Sequence, residues 1–280
     1  MNELINVDPA NAGQVFACLG LLEVANLIAP PATGRFNWNK TGLQANFELS
    51  SNTSVRTILE EVKEASVEEP DEQGPLWEST EGEDSVMQEK LGELQPPNGS
   101  KSNRSHKNIS YTAPVRLEGS SWELILDAWL TPDTRKPNSP FKTWAGQVSS
   151  TQSIINLKKS LNLDVQSSDI FEAGVTMRPV GYDCRSAISA FDLGYNYNKI
   201  SDVVVYPAVD LFAIIGLNHA RPKTNDNNYF EYSLWSLHLP PECARAVITG
   251  AIPWLASATW RVSVESRGRF KTWTRGELIE

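Results

Sequence analysis

Cysteine is scarce in this sequence, with three unevenly spaced residues in 280. That excludes a disulfide scaffold and points to a reducing compartment. No apolar run reaches the length of about 18 residues that a membrane span needs, so none is expected. The opening MNELINVDPANAG lacks the basic and then apolar layout of a secretory signal, and the expected location is the cytoplasm. G-x-S-x-G, G-x-x-x-x-G-K-[ST] and H-E-x-x-H are all missing. The sequence therefore gives no basis for a nucleophile elbow, a phosphate-binding loop or a zinc-protease helix.

Histidine is as rare as cysteine, occurring only at His106, His219 and His238. His219 has no carboxylate or second histidine at ligand spacing. His238 has Glu242 four residues on, but Pro240 and Pro241 lie between and separate them from a shared helix face. Cys18 and Cys243 sit among apolar or small residues on expected helices and read as buried. Cys184, beside Arg185, reads as the exposed thiol. Asp127, Asp192 and Asp210 make a metal site only if the fold gathers them, and caps or surface positions are the commoner fate of such residues. The expectation is a non-enzyme with no cofactor and no metal, although a constellation built from distant residues stays open.

The net charge of −9 taken alone argues against a nucleic-acid partner, but its distribution does not. Residues 51–95 hold 13 acidic and 3 basic groups, leaving 21 acidic and 22 basic over the rest. Residues 66–107 combine this acidity with Pro, Gly and Ser, too little apolar surface to offset the entropy of ordering. They read as a mobile acidic insertion in a single α+β domain spanning 1–280. A solvated loop is the plain interpretation, and an arm that mimics nucleic acid is the sharper one.

Basic residues gather in two places. Residues 96–160 carry nine Lys or Arg against four acids, including Arg135 and Lys136 in a proline-rich stretch. Trp260–Arg275 carries five, among them Arg267, Arg269, Lys271 and Arg275, against Glu265 alone. A tetrapeptide recurs in the two clusters: Phe141-Lys142-Thr143-Trp144 and Phe270-Lys271-Thr272-Trp273. A lysine to neutralise a phosphate, a hydroxyl to bond one and a Trp face for a base, here Trp144 or Trp273, suit nucleic-acid contact. The plainer alternative puts Phe and Trp in a core with Lys and Thr facing solvent, and for a four-residue echo that is the commoner case.

Asp8-Pro9 reads as a helix opening, and Gly13–Ile28 is apolar on most sides and should be a buried helix ended by Pro30 and Pro31. A hairpin follows, with strands at 35–38 and 44–49, then an amphipathic helix over 54–64. Beyond the insertion, strands are expected at 115–117 and 122–129. A helix over 150–161 should turn Ile154, Ile155 and Leu161 inward and Lys158 and Lys159 outward. Strands at 186–195 and 202–206 precede a second buried helix over 207–218. Then come a strand at 229–237, a short helix at 240–248 and a closing hairpin of 260–264 with 269–274. The two buried helices share a pattern, Val15-Phe16-Ala17-Cys18-Leu19-Gly20-Leu21 against Leu211-Phe212-Ala213-Ile214-Ile215-Gly216-Leu217. Either an internal duplication or a common need for small residues at a tight contact explains it, and the latter fits better because the remaining halves do not align. The class is α+β without a βαβ repeat.

Several stretches, in order, resemble a known family. They are Asn6-Val7-Asp8-Pro9 leading into Gly13–Cys18 and Leu21-Leu22-Glu23, Lys142-Thr143-Trp144-Ala145-Gly146-Gln147, Phe191–Tyr195, Tyr206–Leu211, and Ile215-Gly216-Leu217 with Arg221-Pro222. Together the set resembles the small Cas-family subunit of type I-G (formerly type I-U) CRISPR effector complexes. The insertion is longer and more acidic than the family pattern.

The resemblance implies a non-catalytic subunit of a Cascade-type, RNA-guided surveillance complex in antiviral defence. Its implied partners are other effector subunits, guide RNA, target double-stranded DNA and a recruited helicase-nuclease that performs cleavage. Base pairing reads the sequence in such complexes, so the protein needs mainly backbone contacts and help with protospacer-adjacent-motif recognition. Lys142, Lys271, Arg267, Arg269 and Arg275 are the expected phosphate contacts, with Arg135, Lys136 and Gln147 beside them. One alternative is a structural assembly subunit using some of the nine tryptophans as interface anchors. Another is a guide-processing ribonuclease using His219 or His238 with a lysine.

Overall fold

A computed structural model describes residues 1–38, 45–69, 114–129, 141, 143, 150–178, 180–186, 203–222, 224–225, 229–267 and 270–279. The acidic segment beyond residue 69, the proline-rich 130–140 stretch and residues 187–202, with most of the expected strand at 186–195, lie outside these residues. The architecture is α+β. Two helices, α1 (Ala12–Ile28) and α4 (Pro207–His219), pack against each other at its centre. Both are buried on nearly every side, as their lack of a polar face dictates.

The two helices meet through the shared pattern. A Cβ on Gly20 would run into the Phe212 carbonyl oxygen, and one on Gly216 would run into that of Phe16. The contact is reciprocal, each glycine admitting the backbone one turn before the other. Small residues at a tight crossing therefore account for the echo.

Four antiparallel sheets surround this pair. In the first, β1 (Asn2–Val7), β2 (Thr33–Trp38) and β3 (Ala45–Ser50) are ordered β1-β3-β2. Both outer strands are antiparallel to β3, so they run parallel to each other and α1 is their crossover. This is one split βαβ unit, whose opening strand the sequence reading missed because Asn2–Val7 directly adjoins the Asp8-Pro9 turn. Helix α1 covers the expected Gly13–Ile28 run, but Asp8-Pro9 does not open it. The Asp8 carboxylate accepts the Ala10 N–H (3.0 Å) and Gln14 Oε1 accepts that of Asp8 (2.7 Å), forming a turn that delays the first helical residue to Ala12.

The second sheet runs β12-β11-β10-β9, from β9 (Thr224–Asn225), β10 (Tyr229–Trp235), β11 (Ala256–Arg267) and β12 (Phe270–Trp273). β13 (Glu277–Leu278) also pairs with β11. Trp235 donates its indole N–H to the Gly34 carbonyl (2.7 Å) and packs edge-on against Phe36 and Phe47, locking the two sheets together. Helix α2 (Val55–Glu64) is capped by Ser54, whose hydroxyl accepts the Thr57 N–H. Helix α5 (Pro241–Ile248) opens on its proline.

β4 (Ser66–Glu68), β5 (Val115–Glu118) and β6 (Glu123–Leu126) form the third sheet. Residues 66–68 thus belong to the fold rather than to the insertion, and Glu68 pairs with Arg116 across the ladder. Helix α3 (Ser150–Lys159) corrects another expectation. Lys158 is buried and its ammonium donates to the Ala65 carbonyl, while Ile155 is only half-buried. A long apolar stem allows this when a carbonyl waits at its end. The last pair, β7 (Val175–Thr176) with β8 (Val204–Val205), leads into α4. Residues 184–186 are helical, so the expected strand does not begin at Ser186.

Candidate nucleic-acid interface

The described members of the two Phe-Lys-Thr-Trp copies, Phe141 and Thr143 from one and Lys271 to Trp273 from the other, lie side by side. Lys271 donates its backbone N–H to the Thr143 carbonyl (2.9 Å), and the Phe141 and Trp273 rings meet at right angles with centroids 6.2 Å apart. Phe230, Tyr182 and Phe16 complete the aromatic cluster around Trp273. Strand β12 supplies one copy. Its register against β11 sets Val264 opposite Trp273 and Arg267 opposite Phe270.

Burial divides the expected roles. Phe141 and Trp273 are core residues, so Trp273 offers no face for a base to stack on. Both threonines are buried too: Thr143 donates its hydroxyl to the Val180 carbonyl, and Thr272 lies inside beside Trp273. Neither hydroxyl reaches a phosphate, and neither faces solvent as the plainer reading had it. Lys271 is half-buried, and desolvation lowers its pKa. Arg275 is half-exposed and grips Asp8 with both terminal nitrogens, at 2.5 and 3.0 Å.

Arg135, Lys136, Lys142, Trp144, Gln147 and Arg269 lie outside the described residues, as does the Arg267 side chain. Of the expected contacts, the fold visibly gathers Lys271, Trp273 and Arg275. Sequence reasoning missed the node they adjoin. Asp183 accepts Asn11 Nδ2 (2.9 Å) and is held by Arg185 through Nε and Nη2, while Arg185 also stacks over the Tyr206 ring at 3.6 Å. Asp210 takes the backbone N–H groups of Tyr182 (3.1 Å) and Asp183 (3.2 Å) on one oxygen. Burial, and then the neighbouring Asp183 charge, push the Asp210 carboxyl up to about 7 against the pull of those N–H bonds. No local pattern announces this node, because its members come from three distant segments.

The other reactive groups fall out differently from expectation. Cys184 is buried rather than exposed, and desolvation with Asp183 nearby pushes its thiol up to about 12. Cys243 is exposed rather than buried, whereas Cys18 is buried as expected and its thiol is pushed up by desolvation. His238 faces Glu48 (3.6 Å), and burial pushes the His219 pKa down. Asp127 and Asp210 are not brought together in a metal-binding group, and Asp192 is not described. Among the described residues no three His, Cys, Asp or Glu form a group that could hold a metal. No helix among them is long and apolar enough to cross a membrane. Comparison with protein-family models, curated proteins and solved structures finds no match.

Proposed function

We propose that this chain is a non-catalytic subunit of a type I-G RNA-guided surveillance complex, contacting guide RNA or target DNA through phosphates near the joined Phe-Lys-Thr-Trp segments. The observation that carries the proposal is a convergence. The stretches that resemble the family, around Asp8–Gln14, Thr143 and Tyr206–Leu211, adjoin one another through Tyr182 and Asp183 and through the Thr143 contacts to Val180 and Lys271. The basic tail is fastened to the same place by Arg275 on Asp8 and by the Gly276 N–H on the Ala10 carbonyl (2.7 Å). On this reading Lys271, next to the junction, would contribute a phosphate contact, and base pairing would supply the specificity that such contacts lack.

Affinity purification of the tagged chain expressed with its neighbouring genes tests membership. Recovery of repeat-derived guide RNA together with other effector subunits is expected. Recovery of the chain alone, without RNA, would overturn the proposal.

One feature favours an assembly role as a second reading. Trp254, in the short 3₁₀ turn Pro253–Leu255, is 77% exposed, and Leu237 is 56% exposed. Exposed tryptophan is a common interface anchor. Trp254→Ala should then release the subunit from the complex without altering DNA affinity, whereas unaltered assembly would remove this reading.

A further inference from the structure

Among the expected phosphate contacts, Arg275 is the arginine whose side chain is described, and an anion already sits on it. Its two terminal nitrogens meet both carboxylate oxygens of Asp8, Nη1 on Oδ2 at 2.5 Å and Nη2 on Oδ1 at 3.0 Å. A guanidinium offers the same two-pronged face to phosphate. The Arg275 side chain is 49% exposed and that of Asp8 20%, so a second anion can reach the guanidinium from solvent.

The ion pair is not what holds its surroundings in place. On the Asp8 side, the turn is closed by the Ala10 N–H on Asp8 Oδ1 (3.0 Å), the Asp8 N–H on Gln14 Oε1 (2.7 Å) and the Asn11 N–H on the Asp8 carbonyl (2.9 Å). Tyr232 donates its hydroxyl to the Pro9 carbonyl (2.7 Å) from β10. On the Arg275 side, the Thr274 N–H reaches the Ser263 carbonyl (3.0 Å), the Ile279 N–H reaches that of Thr259 (2.9 Å), and β13 pairs with β11. The Gly276 N–H on the Ala10 carbonyl (2.7 Å) joins the two segments by itself. An ion pair partly in water adds little to such a framework. Exchanging Asp8 for another anion on Arg275 therefore leaves both segments where they are.

We propose that the Asp8–Arg275 pair is an autoinhibitory contact, in which the Asp8 carboxylate fills the guanidinium fork that a nucleic-acid phosphate takes and binding proceeds by exchange of one anion for the other. This rests on the nucleic-acid reading above and adds to it a bond that must break before Arg275 can serve.

Binding of a target duplex by the assembled complex at low salt tests the proposal, with wild type, Asp8→Asn, Asp8→Ser, Arg275→Gln and the combination of Asp8→Asn with Arg275→Gln. Both Asp8 variants keep an oxygen for the Ala10 N–H, and each should bind tighter than wild type, while Arg275→Gln should bind more weakly. The gain from Asp8→Asn should be about two- to fivefold larger with Arg275 in place than in the Arg275→Gln background, the factor that a partly exposed ion pair supplies. Glu60→Gln, at the exposed Arg56–Glu60 pair on α2, should leave affinity unchanged. Equal gains in the two backgrounds would reduce Asp8 to a repelling charge and overturn the proposal, as would the absence of a gain in both folded Asp8 variants. The nucleic-acid reading would survive either result provided Arg275→Gln still weakens binding. No duplex binding by the wild-type complex, or no effect of Arg275→Gln, would overturn the proposal together with the contact it rests on.

Discussion

Asp210 has no exposed surface, and its second carboxylate oxygen, Oδ2, has no partner among the described residues, like Asn11 Oδ1. Its carboxyl is raised from an ordinary 3.8 to about 7. The folded protein therefore holds a proton there that the unfolded chain releases, and stability falls as pH rises from about 4 through about 7. The full shift corresponds to a loss of the order of 4 kcal/mol. Asp210→Asn keeps an oxygen for the Tyr182 and Asp183 N–H groups and removes the charge. Denaturant melts should show this variant more stable than wild type by about 1–3 kcal/mol at pH 8, with the gain shrinking toward pH 4. A gain independent of pH would refute the assignment. The expected buried helix over 207–218 contains Asp210, but an acid in a helix's first turn is ordinary at the surface, and its hydrogen-bond partners lie 27 and 28 positions earlier in the chain. Trp273 is the opposite case: its core reading is available from the echo alone, and the cluster with Phe141, Tyr182 and Phe230 supports it.

At the scale of elements, legibility follows periodicity and capping. Helices α1 and α4 are readable because runs made mostly of apolar and small residues have nowhere to go but the interior, and α2 because Ser54 precedes an amphipathic run. What stays hidden depends on partners far along the chain. The Lys158 ammonium finds the Ala65 carbonyl, and β1 finds its place beside β3 only once α1 has crossed over. The helix crossing gives a sharp prediction. Gly20→Ala and Gly216→Ala each force a methyl group into a carbonyl, and each should cost about 3 kcal/mol or more in equilibrium unfolding. A destabilisation below about 1 kcal/mol would show that the helices can separate without penalty. The antiparallel β4–β5 ladder gives another. It brings Glu68 opposite Arg116, so the ends of the acidic segment meet across a strand pair. Replacing residues 70–113 with a short turn should leave far-UV circular dichroism and the melting temperature nearly unchanged. Loss of cooperative melting would mean the segment belongs to the core.

For the whole molecule, net charge is a poor guide. The −9 total is the sum of a segment at −10 and a nearly neutral remainder, and the fold fastens its basic tail over the start of α1. On the proposed function, a near-neutral body with local basic patches would bind nucleic acid through a few phosphate contacts, and its affinity would then depend on salt. The central claim is tested most directly by the salt dependence of target-DNA binding by the assembled complex, with the wild-type subunit and with Lys142→Ala, Arg269→Ala and Lys271→Ala combined. Weaker binding and a logarithmic salt slope shallower by about 2 to 3 are predicted, roughly 0.9 for each phosphate no longer neutralised. Identical affinity and slope, in a complex that still contains the folded variant, would contradict the account.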